Sequence, residues 1–564
     1  MAIIGIDLGT TNSLVAIWKD GQPTIIPNVL KKYLTPSIVS VDENGEILIG
    51  DVAKERLITH PELTACNFKR FMGTSKKFNM GCYTFSPEEL SSFILKSLKE
   101  DVEKYIGEEI SEAVISVPAY FNDAQRKATK SAGELAGLKV ERLISEPTAA
   151  ALAYGINQKN EETQFLVFDL GGGTFDISIL ELFEGVMEVK SIAGDNYLGG
   201  EDFNKLLVDY FATKNNLNIN SLDKKTLSVL SKQAELCKKT LSDKEIANMS
   251  LIINEKCFEI EINRSRFEKI CSDIILRLRH PVERALRDAD ISPIDIEAVI
   301  LIGGSTRMPL IRSIVSKMFN KLPYSNINPD EAVVLGAAIQ GALKERNSDL
   351  EELVLTDVCP YTLGVNVVEY LGEDGYEDGY FLPIIERNLP IPISKVKSLV
   401  TVMDNQKEIK IDVYQGESRK VENNIKLGEL EISVPPAKAG QQMVDVRYTY
   451  DINGLLEVEV LTITTGEKKS IVIQNSEKYM SEEEIKDRIK FLEEIKIHPR
   501  DKTENRLLLA RGERLYEESL GDKRDYISKL LIEFEKILST QNSVNIEKGA
   551  KLFSKRLDEL EKYY

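Results

Sequence analysis

Two stretches of this chain read as copies of each other. IIGIDLGTTNSLVAIW, from Ile3, resembles FLVFDLGGGTFDISIL, from Phe165, with Asp7 and Asp169 in equivalent places. Each is an apolar run ended by an acidic residue, a turn of small residues, and a second apolar run, which is the pattern of a hairpin. The repetition extends further, because Ala113–Val114–Ile115 and Ala298–Val299–Ile300 follow the two hairpins in the same order. Up to about residue 350, β-branched runs such as AVISVPAY and AVILIGG alternate with helical stretches at Glu134–Leu138 and Glu331–Leu343, which predicts α/β layers. Two similar units packed face to face leave a cleft between them, and such clefts are favoured ligand sites.

The turns themselves suggest what the cleft holds. No GxxxxGK[ST] sequence is present, so the P-loop route to a nucleotide is absent. In Asp7–Ser13 and Asp169–Asp176 an acid ends the strand, and glycines let backbone N–H groups approach phosphate oxygens with no Cβ in the way. Thr10, Thr11 and Thr174 add hydroxyl donors. Asp7, Asp169 and Asp176 beside a triphosphate would crowd negative charge, so a bridging Mg²⁺ that keeps part of its water shell is required. Hydrolysis further needs a cation on the phosphates and a group to orient water, for which Lys69 in FKRFMG and Glu146 in SEPTAAALAYG are candidates. Taken alone, each is most simply a solvated or helix-terminal charge.

Beyond residue 350 the character changes twice. Residues 351–358, EELVLTDV, form a short acidic and apolar strip. From Cys359 to about Asn475, runs such as IKIDVYQGE and GLLEVEVLTITTGEKKSIVI alternate apolar with polar residues between turn signals at Asp451–Gly454 and Thr465–Gly466. Pro383, Pro390, Pro392, Pro435 and Pro436 keep those strands short or at edges, and an antiparallel sandwich is expected. From Ser481 onward the chain reads as helical. Ser481 and Glu484 make a capping box ahead of Ile485, Ile489 and Leu492, and Pro499 ends that helix. A second helix carries Leu530, Leu531, Phe534 and Leu538, and a third Leu552, Leu557 and Leu560, as a small bundle appended to the β-domain.

Composition narrows the partners. A net charge of −18 argues against a general nucleic-acid or anionic-membrane partner, either of which needs a basic surface. The start, MAIIGIDLGTTNS, lacks a basic n-region and reads as a buried strand instead of a signal peptide. No window approaches the roughly 20 apolar residues that span a bilayer. Six dispersed cysteines and three histidines give neither CxxC nor zinc spacing, which fits a reducing cytoplasm.

IDLGTTNS, VISVPAYFNDAQRKATKSAGELAGL, SEPTAAALAYG, VFDLGGGTFDISIL, GDNYLGGEDF, LIGGSTRMP and INPDEAVVLGAAIQ stand in the order of the 70-kilodalton heat-shock chaperone (DnaK-type) family, which the chain resembles over nearly its whole length. The resemblance implies a multidomain α/β plus β plus α protein. Its parts would be an actin-like two-lobed ATPase over residues 1–350, a linker over 351–358, a β-sandwich that binds extended peptides over 359–475, and a helical lid over 476–564. It implies ATP/ADP and Mg²⁺ as cofactors and leaves room for K⁺. Carried over by position, Asp7, Gly9, Thr10, Thr11, Asn12, Asp169, Gly171, Gly172, Gly173 and Thr174 would meet phosphates and metal, with Asp7 and Asp169 holding Mg²⁺ largely through water. Lys69 becomes the catalytic lysine, with Glu146 and Asp169 organising metal and attacking water. Gly199, Gly200, Glu235, Lys238, Ser242, Gly303, Gly304, Ser305, Arg307 and Asp330 match the nucleoside side. Pro118 and Arg126 match the pair that relays nucleotide state, and Arg142 and Asp357 sit where the family meets J-domain partners. Leu353, Val354 and Leu355 would dock on the ATPase in one nucleotide state, with Thr356 in place of a usual leucine weakening that docking. Val365, Val368, Leu399, Val402, Ile409 and Ile411 occupy the peptide-channel positions, with Ile409 at the pocket floor; without the resemblance, the same alternation reads as sandwich core.

Three departures stand out. The span from GGEDF to Ile260 is short, the chain stops at Tyr564 without a long tail or terminal EEVD, and Leu399 replaces a frequent aromatic. These features resemble the smaller HscC-like bacterial branch and leave dependence on a GrpE-type exchange factor open. A sugar kinase would share the duplication but not the linker or channel motifs. A non-hydrolysing co-chaperone of the same superfamily would carry long acidic insertions in the β-domain, which this sequence lacks. The expected partners are extended client polypeptides and a J-domain co-chaperone.

Overall fold

A computed structural model describes residues 3–155, 163–183, 186–253, 255–324, 328–345, 354–370, 376–450, 456–473, 503–519, 521–539 and 543–561. Leu353, the turn at Asp451–Gly454 and the helix expected from Ser481 to Pro499 lie outside these residues.

The duplication read from the sequence is built as two six-stranded sheets. The first runs in the order Lys139–Ser145, Glu112–Val117, Ile3–Asp7, Asn12–Lys19, Gln22–Ile25, with Thr35–Pro36 also on Asn12–Lys19. The second runs Ala298–Ile302, Thr163–Leu170, Phe175–Phe183, Val186–Asp195, Val354–Val358, Pro390–Ile391. In each, the first hairpin strand pairs antiparallel with its mate and parallel with the later repeat: Ile4 faces Ala113, and Phe165 faces Ala298. Strands buried on both faces need continuous apolar runs, and Ile3–Asp7 and Thr163–Leu170 supply them.

Two helices, Glu146–Gly155 and Ala332–Lys344, pack between the sheets. They are rich in alanine and glycine because the backbones nearly touch. A Cβ on Gly336 would lie 1.7 Å from the Ala149 carbonyl oxygen, and one on Gly5 would lie 2.2 Å from the Ala338 nitrogen. The helix predicted at Glu134–Leu138 is instead the end of Asp123–Leu135, which an Asn122–Gln125 capping box starts. Gly137, at φ +73°, then turns the chain into the next strand.

The β-region is a sandwich of two four-stranded antiparallel sheets. One holds Tyr376–Ile385, Leu363–Tyr370, Glu408–Gln415 and Ile425–Ser433, and the other Ile393–Val400, Met443–Tyr450, Leu456–Thr462 and Lys468–Ile473. Alternate residues fill the shared core, and the buried Tyr448 hydroxyl donates to the Gly364 carbonyl at 2.9 Å. The linker strip is a strand. Val354–Val358 pairs parallel with Val186–Glu188 on one edge and antiparallel with Pro390–Ile391 on the other, so one sheet runs from the α/β part into the β-part.

The terminal helices Thr503–Glu518, Asp522–Ser539 and Ser543–Glu561 pack around Leu515, Ile527, Phe534 and Leu557. Thr503–Glu518, inside the stretch that reads as helical though not singled out there, lies against the helix Asp51–Thr59. Leu507 packs into the cluster of Ile38, Leu48, Val52 and Ala53; Arg514 pairs with Glu55 at 2.6 Å, and Glu517 with Lys225. The helix's other apolar residues, Leu508 and Leu515 among them, pack in the core of the bundle itself. Among the described residues no helix is long and apolar enough to cross a membrane.

Candidate functional site

The two glycine turns face each other across a cavity of about 980 Å³. It is lined by Asp7, Gly9, Thr10, Thr11, Asn12, Lys69, Glu146, Asp169, Gly171, Gly172 and Thr174 at one end. Gly200, Glu235, Lys238, Ser242, Gly303, Gly304, Ser305, Arg307 and Asp330 line the other. Of the residues predicted for this site, Gly173, Gly199 and Asp176 stand behind the lining. There the Gly173 carbonyl accepts from Arg70 Nε at 3.0 Å, and the Gly199 N–H donates to Asp202 at 2.8 Å.

Local structure positions each group. Lys69 sits on a short 3₁₀ turn, Phe68–Phe71, and reaches Glu146, the first residue of its helix, at 2.6 Å with both side chains buried. Asp7 ends its strand and accepts from the Ser116 hydroxyl at 2.8 Å. Burial, reinforced by the Glu146 charge, pushes Asp7 up to about 7 and Asp176 up to about 8, and holds Asp169 well above the usual carboxylate range. One oxygen each of Asp169 and Asp176 is buried with no protein donor. Oxygens of this kind fit a hard cation, which would also let the carboxylates ionise. Among the described residues no group of three or more acidic, histidine or cysteine side chains is placed to hold an ion directly.

At the far end Lys238 donates to the Gly200 carbonyl at 2.8 Å, and burial pulls its ammonium down. Ser305 donates to Gly171 at 2.8 Å, and Arg307 pairs with Asp330 at 2.5 Å. Sequence reasoning missed Arg70, whose Nη2 reaches Asp202 at 2.6 Å while its Nε holds the second turn, so that it ties one unit to the other. It also missed Ser116 and the lining residues Met308, Arg312 and Val333. One basic residue beside Lys69, or one serine in a strand, carries no pattern of its own.

The remaining predicted residues lie elsewhere. Arg126 clasps the turn after Pro118, donating to the Ala119 and Phe121 carbonyls at 3.2 Å each. Arg142 is largely buried near Asp357; burial pulls its pKa down and the Asp357 charge opposes that. In the sandwich, Val365, Ile409 and Ile411 belong to the core cluster, while Val368, Leu399 and Val402 are partly buried. Val354 and Leu355 are in the linker strand.

A duplicated α/β unit that closes two glycine-rich turns on one carboxylate-lined cavity defines an ATP-binding protein. The family described as Hsp70 protein matches residues 3–80 and 75–563. The chaperone protein DnaK of Thermotoga petrophila is 44% identical over 499 residues, covering 86% of this chain and 82% of that protein. The DnaK of Thermotoga maritima gives the same figures, and that of Thermosipho melanesiensis is 43% identical over 497 residues with the same coverage. The chain belongs to the Hsp70 family, as a chaperone of the DnaK type.

Proposed function

We propose that this chain hydrolyses ATP and uses the nucleotide state to control how tightly it holds extended apolar polypeptides. The observation that carries this reading is the linker strand. Val354–Val358 lies on the strand Val186–Asp195, whose own partner Phe175–Phe183 begins at the second glycine turn, and its other edge is taken by Pro390–Ile391 of the β-region. A shift at the turn therefore reaches the sandwich through paired backbone.

In this mechanism the N–H groups of both turns and the hydroxyls of Thr10, Thr11 and Thr174 orient the phosphates. Lys69, held by Glu146, supplies the positive charge on the transferring phosphoryl group. Glu146 and Asp169 orient the attacking water. Bound Mg²⁺ would neutralise phosphate charge, with Asp7 and Asp169 holding its water shell. With ATP the linker strand is docked, the terminal helices stand away from the sandwich, and peptide exchanges fast; after hydrolysis the strand leaves and the helices close as a lid. Val368, Leu399 and Val402 at the rim, with Ile409 as the floor, select apolar side chains. A J-domain protein meeting Arg142 and Asp357 would trigger hydrolysis. The short span before Ile260 and Leu399 favour the HscC-like branch. The test is release of a fluorescent apolar peptide from the full chain: release should be much faster with ATP than with ADP, and equal rates would sink the proposal.

A further inference from the structure

Tyr361 lies between the linker strand and the first strand of the sandwich, and the site described above makes no use of it. Its phenol O–H donates to the Tyr120 carbonyl at 2.6 Å, and the two rings lie 4.5 Å apart, tilted by 40°. Tyr120 is in turn held by the second glycine hairpin, because its N–H donates to Asp176 Oδ1 at 3.1 Å. Asp176 faces Asp169 across the second glycine hairpin. Three successive groups thus run from the second glycine hairpin, behind the cavity wall, to the sandwich: the Asp176 carboxylate, the Tyr120 backbone and the Tyr361 hydroxyl. The line is braced on every side. Arg126 clasps the carbonyls before and after Tyr120, Asn196 donates to the Tyr120 carbonyl at 2.8 Å, and Arg284 donates to the Tyr120 hydroxyl at 2.9 Å from over its ring.

We infer that Tyr361 is a positioning residue that reads the second phosphate hairpin for the β-sandwich, by hydrogen-bonding to the one residue whose other backbone group is held by Asp176. The inference rests on nucleotide-controlled peptide release as proposed above, and it names a coupling residue for it. The geometry is selective. The linker strand joins the two parts through backbone that any side chain could supply, whereas this contact needs a hydroxyl at the end of a ring. A hydrogen bond depends steeply on distance and angle, so a small displacement of Asp176 and Tyr120 breaks it while leaving apolar packing intact.

The test is Tyr361→Phe in the full chain. The change removes only the hydroxyl, and the Tyr120 carbonyl keeps Asn196 as a donor, so no buried acceptor is orphaned. The rate of release of a fluorescent apolar peptide is measured with Mg²⁺ and either ATP or ADP. The ratio of the two rates should fall about fivefold, the effect of losing one net hydrogen bond in the docked state alone. Release with ADP and the melting temperature with ADP should be unchanged. By linkage, the factor by which peptide alters ATP affinity should shrink equally. Tyr361→Leu, which also removes the ring contact, should lower the ratio further. A wild-type ratio of one takes down the proposed function and this inference together. A wild-type ratio well above one that Tyr361→Phe leaves intact overturns the inference alone, as does an equal change with both nucleotides.

Discussion

At the scale of single residues, the two glycine hairpins carry acids whose ionisation burial opposes. Asp7, Asp169 and Asp176 all sit above their ordinary value of 3.8, with burial the first cause and the Glu146 charge the second. A carboxyl whose folded pKa is raised holds a proton that the unfolded chain releases, so its contribution to stability is present below about pH 4 and is lost as pH rises through the folded value. Without a divalent cation the protein should therefore melt at a higher temperature at pH 6 than at pH 8, and Mg²⁺ with ADP should recover more at pH 8. Asp7→Asn should flatten both trends in a thermal scan; a cation-free melting temperature that climbs from pH 6 to pH 8 would contradict the assignment. Lys69 makes the second case. Lys69→Ala should cut single-turnover ATP hydrolysis by a factor on the order of 10²–10³ while nucleotide still binds, as for loss of one preorganised positive group. Hydrolysis at the wild-type rate would remove Lys69 from the chemistry.

At the scale of elements, the two hairpins were legible because everything they need is local: an apolar strand, a terminal acid and small turn residues within a few positions. Other features depend on partners far along the chain. Alternation in Glu408–Gln415 marks Ile409 and Ile411 as inward-facing, yet it cannot tell a sandwich core from a channel beneath it, because both are the same face of one strand. Thr503–Glu518 falls in the stretch that reads as helical, but its packing was not legible, because its Leu507–Leu509 run and interior Gly512 do not advertise a face, and the surface it meets, Asp51–Thr59, lies more than four hundred residues earlier. That contact has its own reporter. Cys66 packs, as Leu507 does, against the cluster beneath this helix, and burial pushes its thiol up to about 11. With the exposed Cys82 and Cys257 changed to Ser, thiol labelling of Cys66 should be slow while the helix is seated. Arg514→Glu, which sets a carboxylate against Glu55, should speed labelling severalfold. A rate unmoved by that change would mean that the helix does not shield Cys66.

At the scale of the whole molecule, the α/β and β parts are joined by charge as well as by the linker strand. Arg387 makes a two-toothed pair with Asp288 at 2.7 and 2.8 Å and also meets Glu417. Asn388 accepts from the Ile192 N–H at 3.0 Å, and Lys127 donates to the Ile473 carbonyl at 2.6 Å. None of these pairings was readable beforehand, because no local pattern ties residue 387 to residue 288; the resemblance supplied the order of the parts but not their seams. Arg387→Ala should cost about 1.5–3 kcal/mol of docking, the range for a charged hydrogen bond. With ATP bound, the variant should show a larger radius of gyration by small-angle scattering and slower peptide release than the parent. An unchanged radius would mean that the strand alone holds the parts together.

That strand also sets a timetable. The outer edge of Val186–Asp195 is covered by Val354–Val358, which is itself covered by Pro390–Ile391, roughly two hundred residues further along the chain. During synthesis the second sheet therefore emerges from the ribosome with a bare edge and stays so for roughly 10–40 s at ordinary elongation rates. For that interval the nascent chaperone offers an open strand edge to its surroundings, the kind of surface through which unfinished proteins stick to one another.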